Sequence, residues 1–122
     1  MTAPNIINVS SIKGKTTTAT STLTATTFID NTINSSKVLK LNTLYVANTS
    51  TASATITVVH YSNVSLGLVV KYLARNIVVP AATTVLVLGR DGPIYLEEDQ
   101  RISVYASITN VLDVVCSYEE IT

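Results

Sequence analysis

The sequence predicts an all-β protein, a single antiparallel β-sandwich of about eight strands with jelly-roll or immunoglobulin-like connections. Threonine, valine and isoleucine make up 46 of the 122 residues, and these β-branched side chains favour strands over helices. Apolar residues recur with a period of two in every long segment, and no segment keeps the 3.6-residue period of a helix. Short alternating runs separated by turn residues are typical of a sandwich.

The N-terminal residues are expected to differ from the rest of the chain. We predict that residues 1–17 form an extended arm and hinge, and that residues 18–122 form the sandwich domain. The arm carries four apolar side chains, at Ile6, Ile7, Val9 and Ile12. The polar run GKTTT at 14–18 is the expected hinge. Such an arm can add a strand to a neighbouring subunit or pair within its own sandwich, and both possibilities stay open.

Alternation places the strands in order along the chain. They are predicted at 5–13 (the arm), 19–29, 38–47, 55–61, 68–74, 84–88, 94–96, 101–107 and 111–118. Threonine stands at every second position from Thr20 to Thr26, which predicts a strand with a hydroxylated, uncharged outer face. Residues 77–79 lead to Pro80, and a proline suits a strand end or an edge.

Turn signals separate these runs. The segment DNTINSSK at 30–37 holds residues whose short polar side chains bond to nearby backbone. Glycine and proline mark a turn at 89–93. A turn at 108–110 separates the last two predicted strands, so we predict that these strands form a terminal hairpin.

The charge balance excludes several classes of protein. Eight basic residues match eight acidic ones, and only 13% of residues are charged. A nucleic-acid binder needs a clustered basic face, so none is expected. The most apolar stretch, residues 77–89, is interrupted by Pro80 and is shorter than the ~20 apolar residues of a membrane helix. No secretory signal is recognised at the N-terminus, so we expect cytoplasmic folding and no membrane association.

Two residues could carry chemistry, and neither has a supporting motif. His60 is the only histidine and lies in a predicted strand, where an exposed or hydrogen-bonded role is expected. Cys116 lies mid-strand, and free cysteine is usually a buried small hydrophobe. We therefore expect no catalytic residue, no enzyme activity and no cofactor.

Acidic residues concentrate in two short segments near the C-terminus. These are Glu97, Glu98 and Asp99, and the pair Glu119 and Glu120. Neighbouring carboxylates in a strand point to opposite faces, and no calcium-loop pattern is present, so we expect no metal site. In a chain this poor in charge, the two segments instead indicate a docking surface for a basic partner. We therefore predict an assembly interface made by them and by the apolar side chains of the arm.

Six tyrosines are spread over different predicted strands, at positions 45, 61, 72, 95, 105 and 118. We interpret them as core and interface residues. A carbohydrate or receptor-binding module is an alternative, but the loops at 30–37, 48–54 and 62–67 contain no aromatic residue to stack on a sugar.

The scarcity of charge points to assembly. The first 60 residues contain four lysines and one aspartate, with no glutamate or arginine. Exposed β-branched strands with few charges tend to pair with other chains. We expect that other subunits cover much of this surface.

Most of the chain, and above all its C-terminal third, resembles a family of small virion structural proteins of tailed bacteriophages, especially those that infect cyanobacteria. The likeness lies in the opening INVSSIKGKT, the segment Val79-Pro80-Ala81, the segment IYLEE at 94–98 and the closing SYEEI at 117–121. The resemblance implies a non-enzymatic building block of the virion, assembled in the host cytoplasm. It favours a capsid decoration or cement protein that binds phage capsid or neck proteins and forms a homo-oligomer, with a trimer favoured. A neck, tail or fibre-base component is the alternative.

Overall fold

The computed structural model describes residues 10–89 and 91–122, and this part of the chain folds into nine β-strands. The strands are β1 (Ile12–Thr20), β2 (Thr26–Asn31), β3 (Val38–Asn48), β4 (Ala54–Ser62), β5 (Val69–Val79), β6 (Thr84–Leu88), β7 (Ile94–Leu96), β8 (Gln100–Ala106) and β9 (Leu112–Ile121). In the described ranges, no helix is long and apolar enough to cross a membrane.

The strands form two antiparallel sheets that pack against each other. The five-stranded sheet has the order β1-β9-β3-β6, with β7 also paired to β3, and the four-stranded sheet has the order β2-β8-β4-β5. Early strands pair with late ones: β1 with β9, β2 with β8, and β3 with β6 and β7, while β4 pairs with β5. This order is that of a rolled-up hairpin, the jelly roll. The predicted antiparallel sandwich is confirmed. Of the two predicted connection patterns, jelly-roll and immunoglobulin-like, the structure has the jelly roll.

The core lies between the sheets and consists of aliphatic side chains that alternate along each strand. Leu44 and Val46 of β3 belong to the same core cluster as Ile56 and Val58 of β4, and all four are fully buried. Burying one such side chain stabilises a fold by about 1.5–3 kcal/mol, whereas a surface ion pair contributes about 0–1 kcal/mol. The apolar layer therefore holds the sandwich together.

Two buried asparagines join the sheets across this layer. Asn31 at the end of β2 donates from Nδ2 to the carbonyl oxygen of Leu96 in β7 at 2.9 Å. Asn48 at the end of β3 donates from Nδ2 to the carbonyl oxygen of Val79 in β5 at 3.0 Å. Each amide links a strand of one sheet to a strand of the other. Because a buried carbonyl without a partner costs about 1–3 kcal/mol, these bonds fix how the sheets align.

The segment expected to act as a hinge, residues 14–18, lies within β1. The backbone of β1 pairs with β9 from Ile12↔Ile121 to Thr20↔Asp113 without interruption. Glycine and threonine therefore do not open a hinge here, because the β9 ladder supplies continuous hydrogen-bond partners. From Ile12 onward the chain pairs within its own sandwich, while Ile6, Ile7 and Val9 lie outside the described residues.

The single strand predicted at 19–29 is wrong, because the chain changes sheets in its middle. Ser21 donates its backbone N–H to the carbonyl of Leu112, the first residue of β9, at 2.9 Å. One residue later, the carbonyl of Thr22 accepts the N–H of Ala106 in β8 at 2.8 Å. The alternating threonines mask this switch, because their pattern is the same before and after the crossing.

The predicted terminal hairpin is also wrong. β8 pairs with β2 and β4 in the four-stranded sheet, whereas β9 pairs with β1 and β3 in the five-stranded sheet. The turn at 108–110 therefore carries the chain across the sandwich. The amide of Asn110, which has a positive φ of 62°, donates to the carbonyl of Ser21 at 3.1 Å, so the two sheet-crossing segments support each other.

Candidate functional site

The acidic pair at the C-terminal end of β9 is engaged by lysines of the same chain. Glu120 lies 3.1 Å from Nζ of Lys15 and 3.4 Å from Nζ of Lys37, and its side chain is only 13% exposed. Glu119 lies 3.7 Å from Nζ of Lys40. The hydrogen bond from Lys15 is the main cause that lowers the pKa of Glu120, and Lys37 adds to it. Both carboxylates are therefore neutralised locally.

The acidic triplet between β7 and β8 mostly ties loops together. Both carboxylate oxygens of Asp99 accept the amide of Ser65 at 3.1 Å, and Oδ1 also accepts the Ser65 hydroxyl at 2.9 Å. Glu98 accepts the backbone amide of Ser36 at 3.0 Å. Glu97 is exposed, and its carboxylate forms no hydrogen bond or ion pair with residues 10–89 or 91–122.

The ladder brings the two acidic segments to one end of the five-stranded sheet. Leu96 and Glu120 both lie opposite Leu39, on either side of β3. Two strand spacings separate them, about 10 Å. The expected interface role of these acids stays a prediction, and Glu97 is the member with its carboxylate free of contacts to the described residues. Ile12 of the predicted interface is exposed on β1.

His60 and Cys116 stand apart from each other in the fold. His60 is half-buried in β4, between Ile102 of β8 and Lys71 of β5 in the ladder. Cys116 is fully buried in β9, and burial raises the pKa of its thiol to about 12. A thiol with that pKa is protonated at neutral pH and is a poor nucleophile. Within the described ranges, no group of three His, Cys, Asp or Glu side chains could hold a metal ion.

Two shallow depressions lie on the outer face of the five-stranded sheet. One, of about 380 Å³, is lined by Lys40, Asn42, Thr43, Ser117 and Glu119. The other, of about 310 Å³, is lined by Thr18, Ala19, Thr20, Asp113 and Val115. Both are open and rich in hydroxyl groups, and the charges of the first are already paired with each other. Neither holds an arrangement of groups suited to catalysis.

The longest exposed apolar feature follows β5, the edge strand of the four-stranded sheet. β5 is eleven residues long and pairs only with β4 among the described strands. We use the name β5 edge for the exposed apolar side chains of this strand and the turn before it, which are Leu66, Leu68, Val69, Val70, Tyr72, Ile77 and Val78. Leu66 is 78% exposed and Val78 is 58% exposed. An apolar edge of this length is ready to pair with another chain.

The outer face of the four-stranded sheet collects aromatic and basic side chains. Core residues alternate with outward-facing ones on β4 and β8, so that Tyr61 stands opposite Arg101 and Thr57 opposite Tyr105. Tyr72 of β5 lies opposite Val59. We use the name tyrosine–arginine face for the large side chains on this surface, which are Tyr61, Tyr72, Arg75, Arg101 and Tyr105.

Two arginines of this face lie over tyrosine rings. The guanidinium carbon of Arg75 is 5.1 Å from the ring centre of Tyr72, and that of Arg101 is 5.4 Å from the ring centre of Tyr61. These are cation–π contacts. The smaller outward residues between them are almost completely covered, since Val59 is only 2% exposed. The large side chains therefore form a continuous layer over the sheet.

Sequence reasoning placed these tyrosines in the core or in interfaces and did not group them. Tyr61, Tyr72 and Tyr105 are far apart in sequence, and only the strand register brings them to one face. A weak signal was present for Tyr105, because it follows the apolar core position Val104 in an alternating run and must therefore point outward. Tyr61 follows His60, which gives no such signal. The pairing of β4 with β5 and β8 was the missing information.

Comparison of the chain with protein-family models, with curated protein sequences and with solved structures finds no match in any of the three.

Proposed function

We propose that the protein is a non-enzymatic structural component of a tailed-phage virion, with capsid decoration or cement as its role. The observation that carries the proposal is the β5 edge, a long apolar strand edge that a lone soluble domain would normally protect. The sequence resemblance to phage virion proteins supports the same role. The protein would bind phage capsid proteins, assemble in the host cytoplasm and remain in the virion.

The other sheet edges favour this role for β5 because they carry protective features. β1 presents Lys13 and Lys15, and charged side chains discourage edge pairing. β2 is short and irregular, with a register shift between Thr27 and Ile29. β6 and β7 have only five and three residues. β5 is therefore the edge best suited to a subunit contact, whether with a second copy in a homo-oligomer or with a capsid protein.

Two alternatives remain as proposals. A neck, tail or fibre-base component would use the same edge against a different partner in the particle. A carbohydrate or receptor-binding module belongs to another class, and the tyrosine–arginine face favours it. The two classes are compatible, because pairing along the β5 edge uses the backbone of the edge and leaves the outer face of the sheet open.

Self-association and capsid binding test the structural role. We expect the wild-type protein to form oligomers in size-exclusion chromatography with light scattering, or to bind phage heads emptied of DNA. Replacing Val70 and Val78 together by lysine should abolish both, because charged side chains on an edge oppose strand addition. Circular dichroism would verify that the variant is folded.

A matched double variant tests whether association depends on β5 rather than on another sheet edge. Replacing Thr16 and Thr18 by lysine adds the same charge to β1, the edge of the other sheet, and should leave association unchanged. A wild-type protein that stays monomeric at high concentration and does not bind emptied heads would contradict the structural role. Equal loss of association in both double variants would contradict the assignment to β5.

A further inference from the structure

The tyrosine–arginine face shares Tyr72 with the β5 edge, but its other large side chains lie on the outer face of the sheet, which strand pairing through the backbone of β5 does not use. We infer that it binds an anionic glycan, with tyrosine rings stacking on sugar rings and the arginines binding carboxylate or other acidic groups of the sugar. This inference is independent of the place of the protein in a particle. It rests on the strand register, the exposure of Tyr72 and the absence of an ion pair to either arginine within the described residues.

The rings are placed for stacking. Tyr72 is 48% exposed and lies on β5, while Tyr61 lies on the neighbouring β4 and Tyr105 on β8 beyond it. Adjacent strands are about 4.8 Å apart, so the rings span the width of a short oligosaccharide. Tyrosine offers an apolar ring together with a hydroxyl that can hydrogen-bond. Sugars present the matching combination of C–H faces and hydroxyl groups.

The arginines of this face bring positive charge that forms no ion pair within the described ranges. Neither Arg75 nor Arg101 forms an ion pair with a described residue, whereas three of the chain's lysines do. Asp30 stands opposite Arg101 in the ladder without forming an ion pair with it. The Nε of Arg101 is buried and has no hydrogen-bond partner among the described residues. A guanidinium group binds a carboxylate through two parallel hydrogen bonds, and neither arginine makes such a pair within the described ranges.

A bulge in β5 sets the position of Arg75. Asn76 takes a positive φ of 51°, and its backbone amide donates to the hydroxyl oxygen of Thr57 at 3.1 Å. The register between β4 and β5 shifts at this point. Bulges re-aim side chains, and here the bulge accompanies the placement of Arg75 over the ring of Tyr72. The basic and aromatic groups are thus arranged before any ligand binds.

An acidic sugar fits this face better than a nucleic acid does. Polynucleotide binding draws its affinity from many phosphate contacts, and this face offers two guanidinium groups in a chain of zero net charge. A glycan with an occasional acidic group needs few cations and gains most of its affinity from stacking and hydroxyl contacts.

Calorimetric titration with a short galacturonate oligosaccharide tests the inference. We expect binding that weakens as salt is added, and little or no binding of a neutral maltooligosaccharide of equal length. Tyr72→Ala, Arg75→Gln and Arg101→Gln should each weaken binding about tenfold, which corresponds to about 1.4 kcal/mol. Tyr72→Phe should retain most of the affinity, because the ring that stacks is still present.

Matched variants on the opposite sheet complete the experiment. Tyr45→Ala and Lys40→Gln remove an exposed ring and a cation from the outer face of the five-stranded sheet and should leave binding unchanged. Circular dichroism would verify that every variant is folded. The inference is overturned by absence of galacturonate binding, by equal binding of the neutral sugar or by equal effects of the two sets of variants. Tighter binding of a short oligodeoxythymidylate would overturn it in favour of a nucleic-acid site.

Discussion

At the scale of single residues, Glu120 combines near-burial with two cationic neighbours. Its carboxylate accepts from Lys15 and lies close to Lys37, which together join β1, the β2–β3 connection and β9 at one end of the sandwich. The hydrogen bond from Lys15 is the first cause of the lowered pKa of Glu120. The folded state therefore favours the ionised carboxylate more than the unfolded state does.

Glu120→Gln should reduce the free energy of unfolding at pH 7 by about 1 kcal/mol, a modest value because both lysines are partly exposed. The stabilisation by the wild-type carboxylate is present above its ordinary pKa of 4.5 and is lost as pH falls through the lower folded-state pKa. The difference between wild type and variant should therefore shrink below pH 4.5. Urea unfolding at a series of pH values measures it.

Glu97→Gln is the control for this prediction. Glu97 is exposed, and replacing it should change stability by less than about 0.5 kcal/mol at any of these pH values. If the two variants are destabilised equally, net charge rather than the contacts of Glu120 controls the loss of stability at acid pH.

Individual residue environments were only partly predictable from the sequence. The burial of Cys116 follows from its apolar neighbours, because alternation with Val114 fixes which face it occupies. The neutralisation of Glu119 and Glu120 did not follow, since Lys15 and Lys40 come from strands whose pairing the pattern does not reveal. The same limit hid the tyrosine–arginine face.

At the scale of elements, β1 is an integral strand of the five-stranded sheet. Nine of its residues pair with β9, and Thr17 and Ala19 are half-buried. Deleting residues 1–20 should lower the free energy of unfolding by more than about 3 kcal/mol, because it uncovers one side of β9 and removes the Lys15–Glu120 contact. Deleting residues 1–9 keeps the β1–β9 ladder intact and should therefore reduce stability less than deleting residues 1–20 does. Urea midpoints of the two truncated proteins test this.

The shorter deletion also tests the predicted arm. If Ile6, Ile7 and Val9 contact a neighbouring subunit, deleting residues 1–9 weakens oligomer formation without affecting the folded domain. If the protein that lacks residues 1–9 does not fold, these residues belong to the sandwich itself.

Strands with regular alternation were predicted well, and irregular ones were not. The predictions for β3, β4, β6 and β7 match the structure within about one residue at each end. β5 continues to Val79 through Asn76, where the prediction stopped at residue 74. A residue with positive φ within a strand looks like a strand end in sequence, and only the partner strand shows that it is a bulge.

At the scale of the whole molecule, Cys116 reports on global unfolding. Its thiol is fully enclosed by the core, and its pKa is raised to about 12 by burial. The native protein at pH 8 should not react with a thiol reagent such as dithionitrobenzoate, and one thiol per chain should react in guanidinium chloride. Rapid reaction without denaturant would show local opening of β9.

The raised pKa of Cys116 also predicts how the free energy of unfolding changes at alkaline pH. The unfolded thiol ionises near 9.0, whereas the folded thiol ionises near 12, so its contribution to stability is lost as pH rises through this interval. Cys116→Ala should remove that part of the pH dependence, and unfolding curves at alkaline pH would measure it.

The overall architecture was predictable as a sandwich but not as a particular set of connections. Alternation in short runs requires two packed sheets, because each strand has one apolar face to bury. Alternation does not reveal that β8 and β9 belong to different sheets. A strand has the same alternating pattern whether the next strand pairs with it or lies in the opposite sheet. The jelly-roll order depends on contacts between residues far apart in sequence.

That order governs when the protein can fold during synthesis. β9 lies between β1 and β3 in the five-stranded sheet and is the last described strand to leave the ribosome. β1 emerges early and must wait for a partner more than ninety positions downstream, as Thr20↔Asp113 illustrates. Pairing over such separations is slow. A chain interrupted before β9 lacks a central strand of that sheet, so we expect it to remain unfolded.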